Sequence, residues 1–277
     1  MSDNTDRYTH GHHESVLRSH RWRTAENSAG FLLPHLRQGM SILDVGCGPG
    51  NITADLADRV DPGRVGPGRV GEGRVVGIDV ADVVVAAAAA DHACDNLTFA
   101  TGDVYALAYP DDSFDVVFAH QVLQHLGDPV AALREMRRVV KPGGTVAVRD
   151  SDYGAFVWSP PDPRLTRWMA LYHQLTMHNK AEADAGRVLH VWARQAGFTS
   201  MTVSTSNWTF QTADERAWWG ELWADRVQQS EFARQALEFG FSDDAELADI
   251  GAAFREWSAN PDGLFIVVHG EVLATKP

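Results

Sequence analysis

Residues 42–51 of this chain read ILDVGCGPGN, and this stretch decides the fold. A short strand pattern, Ile42–Val45, runs into glycines at positions 46, 48 and 50, and a helical pattern begins at Asn51. Alternate glycines let the backbone turn tightly and let a ligand lie against bare main chain. The spacing is G-x-G-x-G, and Asn51 stands where the nicotinamide fingerprint G-x-G-x-x-G requires its last glycine. The stretch therefore predicts a cofactor-binding turn that differs from the nicotinamide one.

The chain around this turn alternates strand and helix patterns from residue 40 to residue 150. Apolar residues recur every four positions at Ile52, Leu56 and Val60, which predicts a helix after the turn. Asp128-Pro129 predicts another helix start, because aspartate is a favoured N-cap residue and proline fits the first helical position. Strand patterns are predicted at Ser41–Val45, Arg74–Val80, Leu97–Thr101, Phe114–His120 and Thr145–Arg149. Such alternation is typical of the α/β class with a doubly wound parallel sheet.

A short repeat interrupts this pattern before the second strand. Near copies of a G-R-V motif occupy residues 62–65, 67–70 and 72–75. Three short copies cannot form a solenoid, so we interpret them as a duplicated surface loop. Asp79 lies 29 residues beyond Gly50 (79 − 50), and removing two copies, ten residues, leaves 19. A carboxylate that binds ribose is expected about 20 residues after the glycine turn in such folds. The loop is therefore a tolerated insertion.

The chain changes character after Asp150. Eight of the nine tryptophans lie beyond it, so aromatic side chains are concentrated away from the glycine turn. Helix patterns are predicted within 160–179, at 187–197 and over most of 212–260, and strand patterns at 199–210 and 264–275. We predict that residues 212–260 form a helical insertion between the last two strands. Its tryptophans at 218, 219 and 223 can share one helical surface, which serves either as core or as a wall of an apolar pocket.

Three further signals follow the turn in order: Asp79 ends the second strand, Asp103 follows the third, and His120-Gln121 closes the fourth. With them, the 42–51 stretch closely resembles motif I of class I S-adenosylmethionine (SAM) methyltransferases. The resemblance implies an α/β, Rossmann-like, doubly wound, seven-stranded sheet. It implies N-terminal lid helices over 1–39 and a SAM-binding core over 40–150. Acceptor-side helices, the helical insertion and the last two strands then complete the same domain over 151–277.

The same resemblance implies roles for individual residues in cofactor binding. The glycine turn should pack against the methionine portion of SAM, with Asp44 near its ammonium group. Asp79 should accept hydrogen bonds from the ribose hydroxyls, and Asp103 one from the adenine amino group. The full set of expected cofactor residues is Asp44, Gly46, Cys47, Gly48, Gly50, Asn51, Asp79, Val80, Asp103, Val104, His120 and Gln121.

Two longer segments resemble particular branches of these methyltransferases. Residues 114–126, FDVVFAHQVLQHL, with Lys141-Pro142-Gly143-Gly144, look like the branch named after the ubiquinone and menaquinone C-methyltransferases. The N-terminal segment from residue 8 to residue 27 is similar to the lid of small-molecule enzymes of this branch. It also resembles the gliotoxin-type thiol methyltransferases. These likenesses imply acceptor-binding residues His12, His13, Trp22, His125 and Tyr153, and catalytic candidates His120, His125 and Tyr8.

Histidine is the candidate base if an acceptor must lose a proton, and His120 and His125 both follow the fourth strand. A structural role for His125 on a short helix remains an equal alternative. The histidines at 10, 12 and 13 do not predict a metal site, because cysteine or carboxylate partners at metal-site spacing are absent from the sequence.

Composition limits the setting and the partners. The formal net charge is −13, without a basic cluster, which argues against a nucleic-acid substrate because phosphate neutralisation dominates such binding. Two cysteines are too few for a disulfide framework and favour a reducing, cytoplasmic location. The longest apolar run, residues 83–90, is too short to span a bilayer. We expect a small-molecule acceptor and a monomer or homodimer.

The leading hypothesis is SAM-dependent methylation of a small, largely apolar specialised metabolite. The N-terminal resemblance favours the sulfur of a thiol or dithiol, while C- or O-methylation of a quinone, phenol or other natural product remains open, as does nitrogen. A non-catalytic SAM-binding regulator is the alternative from another class. A nicotinamide oxidoreductase is disfavoured by Asn51.

Overall fold

The structure is a computed structural model that describes residue 20 and residues 22–61, 73–92 and 94–277. Its centre is one mixed sheet in the order β3-β2-β1-β4-β5-β8, with β7 on the far side of β8. The strands are β1 Ser41–Val45, β2 Arg74–Asp79, β3 Leu97–Thr101, β4 Phe114–His120, β5 Val140–Ser151, β6 Val157–Ser159, β7 Ser200–Phe210 and β8 Leu264–Thr275. β1 to β5 are parallel, and β8 is antiparallel to its neighbours.

Nine α-helices accompany the sheet within the described residues. They are α1 Ala25–Ser28, α2 Asn51–Val60, α3 Asp82–His92, α4 Pro129–Val139, α5 Pro163–His178, α6 Ala185–Gln195, α7 Ala213–Gln229, α8 Glu231–Glu238 and α9 Asp244–Ala259. As predicted, Asp128 caps α4 with its side chain accepting from the Ala131 N–H, and Pro129 opens the helix. Thr212 and Glu215 form a reciprocal capping box at the start of α7. Local sequence therefore fixes where these helices begin.

The two faces of the sheet carry separate apolar cores, because alternate strand residues point to opposite sides. One core joins the sheet to α4 and α6 through Leu43, Val117, Val146, Leu133 and Leu189. The other joins it to α1 and α2 through Ile42, Val116, Ala147, Ala25 and Leu56. The parallel strands read as continuous apolar runs for this reason.

The sheet has eight strands, where the resemblance implied seven. The additional strand, β6, is three residues long and pairs with residues 264–266 of β8. β5 pairs only with residues 269–275 of β8, so β6 takes up the remaining length on that side. A three-residue strand carries too little periodicity to be read from sequence. β2 ends at Asp79, one residue before the predicted end, and β5 is longer at both ends than predicted.

The predicted helical insertion lies between β7 and β8, as α7, α8 and α9. With α5 it builds a third apolar cluster around the buried rings of Trp168, Trp223 and Phe254. The ring centroids of Trp168 and Trp223 are 4.6 Å apart, and those of Trp168 and Phe254 are 5.1 Å apart. Most of the aromatic tail is therefore core.

The described part of the N-terminal segment is short. It contains α1 and one 3-10 turn, Leu33–His35, and α1 has a capping box between Thr24 and Asn27. Tyr8, His12 and His13 lie outside the described residues, as do residues 62–72 of the repeat. Within the described ranges, no helix combines the length and the apolar character needed to cross a membrane.

Candidate active site

The carboxyl ends of β1, β2 and β4 border a cavity of about 510 Å³. β1 lies between β2 and β4, where the strand order reverses, and ligands of open α/β sheets bind at this point. One end of the cavity is lined by the glycine turn and the acidic residues after β2 and β3. The other end is lined by aromatic residues of the C-terminal half. The cavity therefore joins two chemically different surfaces.

The glycine turn is held against β2, and its first glycine has no room for a side chain. The N–H groups of Gly46 and Cys47 donate to the carbonyl of Ile78, at 2.8 and 2.9 Å. Gly46 has a φ of +71°, and a Cβ there would collide with Val122. Main chain is thus exposed to a ligand on this side. Gly50, with a φ of +86°, packs against Phe99 and His92 and is not among the residues that line the cavity.

Asp44 lies buried beneath the turn. Its Oδ2 accepts a hydrogen bond of 2.6 Å from the Thr53 hydroxyl on α2. Burial raises the pKa of Asp44 to about 7, the Thr53 hydrogen bond opposes that rise, and the charge of Asp79 adds to it. A nearby cation would restore the ionised form, because an opposite charge within a few ångströms favours it.

Two further acidic residues follow β2 and β3. Asp79 accepts from the N–H of Gly48 at 3.2 Å and from that of Ala81 at 3.1 Å, so its carboxylate is fixed beside the turn. Asp103 accepts from the N–H of Tyr105 at 2.9 Å. Val104 is buried next to Asp103, whereas Val80 is 77% exposed at the rim. These residues line the same end of the cavity.

Buried charged residues of the neighbouring strands lie beside the end of β4. The ring of His120 lies under the cavity with Nδ1 at 3.4 Å from Arg149 Nη1 on β5. Arg149 Nε is 3.3 Å from Glu271 Oε1 on β8 and 3.0 Å from the Ser206 hydroxyl on β7. Burial, followed by the charges of Arg149, Arg23, His269 and His20, holds the pKa of His120 well below its usual value. His120 is therefore a neutral imidazole.

Gln121 connects this cluster to the N-terminal segment. Its backbone is left-handed, with a φ of +55°, a conformation that only a few per cent of non-glycine residues adopt. Its Oε1 accepts from Arg23 Nη2 at 2.6 Å, and its Nε2 lies 2.8 Å from the Ser151 hydroxyl and 3.0 Å from His269 Nε2. The unusual backbone turns this amide into the cavity wall, where three elements meet.

Comparisons with known proteins identify the family. Residues 36–214 match the model of a methyltransferase domain. An uncharacterized methyltransferase of Schizosaccharomyces pombe is 31% identical, with 100% of this chain and 99% of that protein covered. A protein of Aspergillus luteorubrus named as a probable methyltransferase is 32% identical, with 98% of each chain covered. This chain belongs to the methyltransferase domain family.

Solved structures agree with the fold. The Bacillus subtilis YcgJ protein superimposes with a TM-score of 0.55 at 18% identity, covering 90% of this chain and 97% of that one. A Haemonchus contortus phosphoethanolamine N-methyltransferase in complex with SAM gives 0.51 at 19% identity, covering 87% of this chain and 50% of that one. The family match and the named relatives confirm the predicted class I, SAM-dependent methyltransferase.

The aromatic end of the methyltransferase's cavity is lined by Tyr153, Phe156, Trp208, Trp219 and Trp223. The Tyr153 ring is stacked between Phe156 and Tyr172, with centroids 4.5 and 3.8 Å apart, so its position is rigid. Arg226 also lines this end, with its guanidinium carbon 4.7 Å from the centre of the Trp223 ring. An apolar, flat ligand fits such walls.

Of the predicted acceptor-binding residues His125 and Trp22, only His125 lines the cavity. His125 lines the cavity, and its Nε2 is 3.0 Å from Gln124 Nε2. Burial lowers its pKa to about 3, and the charge of Arg23 adds to this. Trp22 is predicted to bind the acceptor, but it does not line the cavity. It packs against Trp208, Phe210 and Trp218 at 5.2 to 5.7 Å between centroids.

The structure therefore brings eleven of the twelve expected cofactor residues, together with His125 and Tyr153, to one cavity. Sequence reasoning missed a polar set in the strands beside the cavity, in which Arg149, His269 and Glu271 are buried and Ser206 is partly buried. Charged residues inside the apolar strand patterns at 145–149 and 264–275 were the available signal. A charge in such a pattern is rarely buried without a partner, so two of them indicate a pair.

Proposed function

We propose that this methyltransferase methylates a small, largely apolar molecule held at the aromatic end of the cavity, with a thiol as the preferred acceptor. The observation that carries the proposal is the continuity of the cavity between the glycine turn and the aromatic walls. A cofactor at one end and a flat molecule at the other would meet near His120. The volume of about 510 Å³ is in the range of small-molecule sites.

The residues at the turn fit SAM. Bare main chain at Gly46 and Gly48 leaves room for the methionine portion, and Asp44, buried and partly protonated near neutral pH, gains a partner in an ammonium group. The Asp79 carboxylate, already fixed by two backbone N–H groups, suits the ribose hydroxyls. Asp103 and Val104 suit the adenine ring. SAM would supply a methyl group on a sulfonium sulfur that departs without needing a proton.

The protein's own contribution is positioning and exclusion of water. Tyr153, Trp208 and Trp223 would hold a flat acceptor in one orientation, and alignment supplies much of the acceleration of an in-line displacement. A thiol suits such a site because a free cysteine-like thiol with a pKa of about 8.5 is already partly thiolate at neutral pH. The N-terminal resemblance to thiol methyltransferases also supports this choice.

The test is a matched panel of acceptors with isotopically labelled SAM. Thiophenol, phenol and a naphthohydroquinone differ mainly in the nucleophile, and mass spectrometry reports the methylated product and S-adenosylhomocysteine. We expect turnover of the thiol and little with the others. Asp79→Asn should lose product in parallel with SAM affinity, which separates catalysis from background methylation. Methylation of the phenol or hydroquinone alone contradicts the thiol preference, and no turnover of any small acceptor contradicts the proposal.

A further inference from the structure

We propose that His120 donates a hydrogen bond from Nε2 to the methyl acceptor and does not act as a general base, so that the acceptor reacts as an anion formed before it enters the cavity. This inference rests on the proposed function. It makes His120 a hydrogen-bond donor, whereas the sequence suggested that it takes up a proton. It also restricts the chemical class of the molecule that is methylated.

The tautomer of His120 follows from its neighbour. A guanidinium has five donors and no acceptor, so Arg149 Nη1, 3.4 Å from His120 Nδ1, can only donate to it. The neutral ring then carries its proton on Nε2. Arg149 is prevented from turning away by Glu271 and Ser206, whose positions are fixed by a hydrogen bond between them. The position of Arg149, and with it the nitrogen of His120 that carries the proton, is therefore fixed by residues of β7 and β8.

Within the described residues, the proton on His120 Nε2 is not donated to any protein group. Nε2 is buried, and among the residues that the structure describes no group accepts a hydrogen bond from it. His120 lines the cavity, so the missing acceptor can come from a ligand. A buried donor without a partner is costly, which makes a ligand atom with lone pairs the favoured occupant of this position.

The two histidines that are hydrogen-bonded by neighbouring amides, His125 and His269, cannot replace His120 as a base, and His20, which also lines the cavity, lies beside Gly48 at the glycine-turn end. Gln124 Oε1 accepts from the Ser151 N–H at 2.9 Å, so its amide nitrogen faces His125 Nε2, which must accept. Gln121 Oε1 accepts from Arg23, so its amide nitrogen faces His269 Nε2, which must also accept. In each ring the basic lone pair is already used within the protein.

The local charges also favour an anion. Arg149 from β5 and Arg23 from the N-terminal segment face the His120 ring, and Glu271 is already paired with Arg149. Arg149 Nη2 is buried without a hydrogen-bond partner in the described structure, so this nitrogen still has N–H groups to donate. A thiolate, an acidic phenolate or an enolate would be stabilised here, whereas a neutral alcohol would gain little.

The reaction balances without a base in the cavity. The acceptor releases its proton to solvent before it binds. Its lone pair forms the new bond to the methyl carbon, the bond from that carbon to the sulfonium sulfur breaks, and the electron pair stays on that sulfur. An anion and a cation give two neutral products, so no proton has to be taken up by the protein.

The test compares His120→Gln with His120→Leu on the acceptor that the wild-type protein turns over best. A glutamine amide can place an N–H near the position of Nε2 but has no basic nitrogen, and leucine removes the donor while keeping the volume. We expect His120→Gln to retain kcat/KM within about threefold, and His120→Leu to lose about 10- to 100-fold, the range for a hydrogen bond to a charged group. SAM affinity, measured by calorimetry for both variants, is compared with the acceptor KM, and thermal unfolding reports correct folding.

A pH profile gives a second readout. With thiophenols of graded acidity, the break in kcat/KM should follow the pKa of each free acceptor and persist in His120→Gln. A break at one fixed pH for all acceptors, lost in His120→Gln, shows a base and overturns the inference. A His120 variant that weakens SAM binding and leaves the acceptor KM unchanged also overturns the inference. If the wild-type protein turns over none of the acceptors, the proposed function fails and this inference fails with it. If the wild-type protein is active and His120→Gln is inactive, only the inference is overturned.

Discussion

At the scale of single residues, position 46 shows most directly how backbone geometry creates the site. Its positive φ disfavours any L side chain, and the space that a Cβ would need is filled by Val122, which follows the fourth strand. Two constraints therefore act at one residue. The same residue is the first glycine of the motif from which the fold was predicted.

We expect Gly46→Ala to abolish measurable SAM binding, because the methyl group pushes Val122 into the cavity and tilts the turn. Gly143→Ala is the matched control: Gly143 has a similar φ of +76°, but its Cβ would meet nothing within 4 Å and lies outside the site. Both variants should lose about 1–2 kcal/mol of unfolding free energy from the left-handed conformation. Calorimetric titration with SAM should separate them, and equal affinities would contradict the steric explanation.

How much of the site the sequence predicts also depends on the residue. Asp44, Asp79 and Asp103 were predictable because strand ends and the glycine turn fix them in order along the chain. Arg149 and Glu271 were not, since their pairing depends on β8 returning antiparallel beside β5 from more than a hundred residues away. The tautomer that we infer for His120 depends on that pairing, so its role could not be read from its own position.

At the scale of elements, the strands with simple periodicity were predicted to the residue, as for Leu97–Thr101, Phe114–His120 and Leu264–Thr275. The short β6 exists only because β8 is longer than its partner β5, which is a tertiary cause that no local pattern carries. A similar tertiary constraint joins α6 to β8. Gly186 and Gly270 meet backbone to backbone, and a Cβ at Gly270 would collide with the carbonyl of Gly186.

We expect Gly270→Ala to destabilise the fold by roughly 1–3 kcal/mol, the usual cost of overpacking, because α6 must move away from β8. Thermal unfolding of Gly270→Ala beside the wild-type protein gives the comparison. Unchanged thermal stability of Gly270→Ala would show that α6 and β8 separate without cost.

At the scale of the whole molecule, the buried titratable groups make stability depend on pH in opposite directions. Burial holds the pKa of His120, His125 and His269 below the usual histidine value, so the unfolded chain binds their protons first as the pH falls. Burial raises the pKa of Asp44 to about 7 and of Asp150 to about 8, so there the folded chain binds protons first. Acid thus weakens the fold through the histidines and strengthens it through the two carboxyls.

A single substitution separates these effects. His125 has a folded pKa of about 3 against 6.5 in the unfolded chain, so its share of stability is present above pH 6.5 and is lost as the pH falls toward 3. We expect the stability of His125→Gln relative to wild type to rise by about 2 kcal/mol between pH 6.5 and 5, at 1.36 kcal/mol per pH unit. Urea unfolding at several pH values tests this, and parallel curves for the two proteins would contradict it.

The short segment from Trp22 to Asn27 links the affinities of the two ligands. Arg23 bonds Gln121, the carbonyl of Asn27 accepts from Trp208 Nε1 at 2.7 Å, and Trp22 packs on Trp218 of the insertion. A ligand that fixes this segment at one end of the cavity lowers the entropy lost when a second ligand binds at the other. The cooperativity must be reciprocal, so SAM should raise acceptor affinity by the same factor by which the acceptor raises that of SAM. Replacing Trp22 with alanine should reduce both factors together in paired calorimetric titrations.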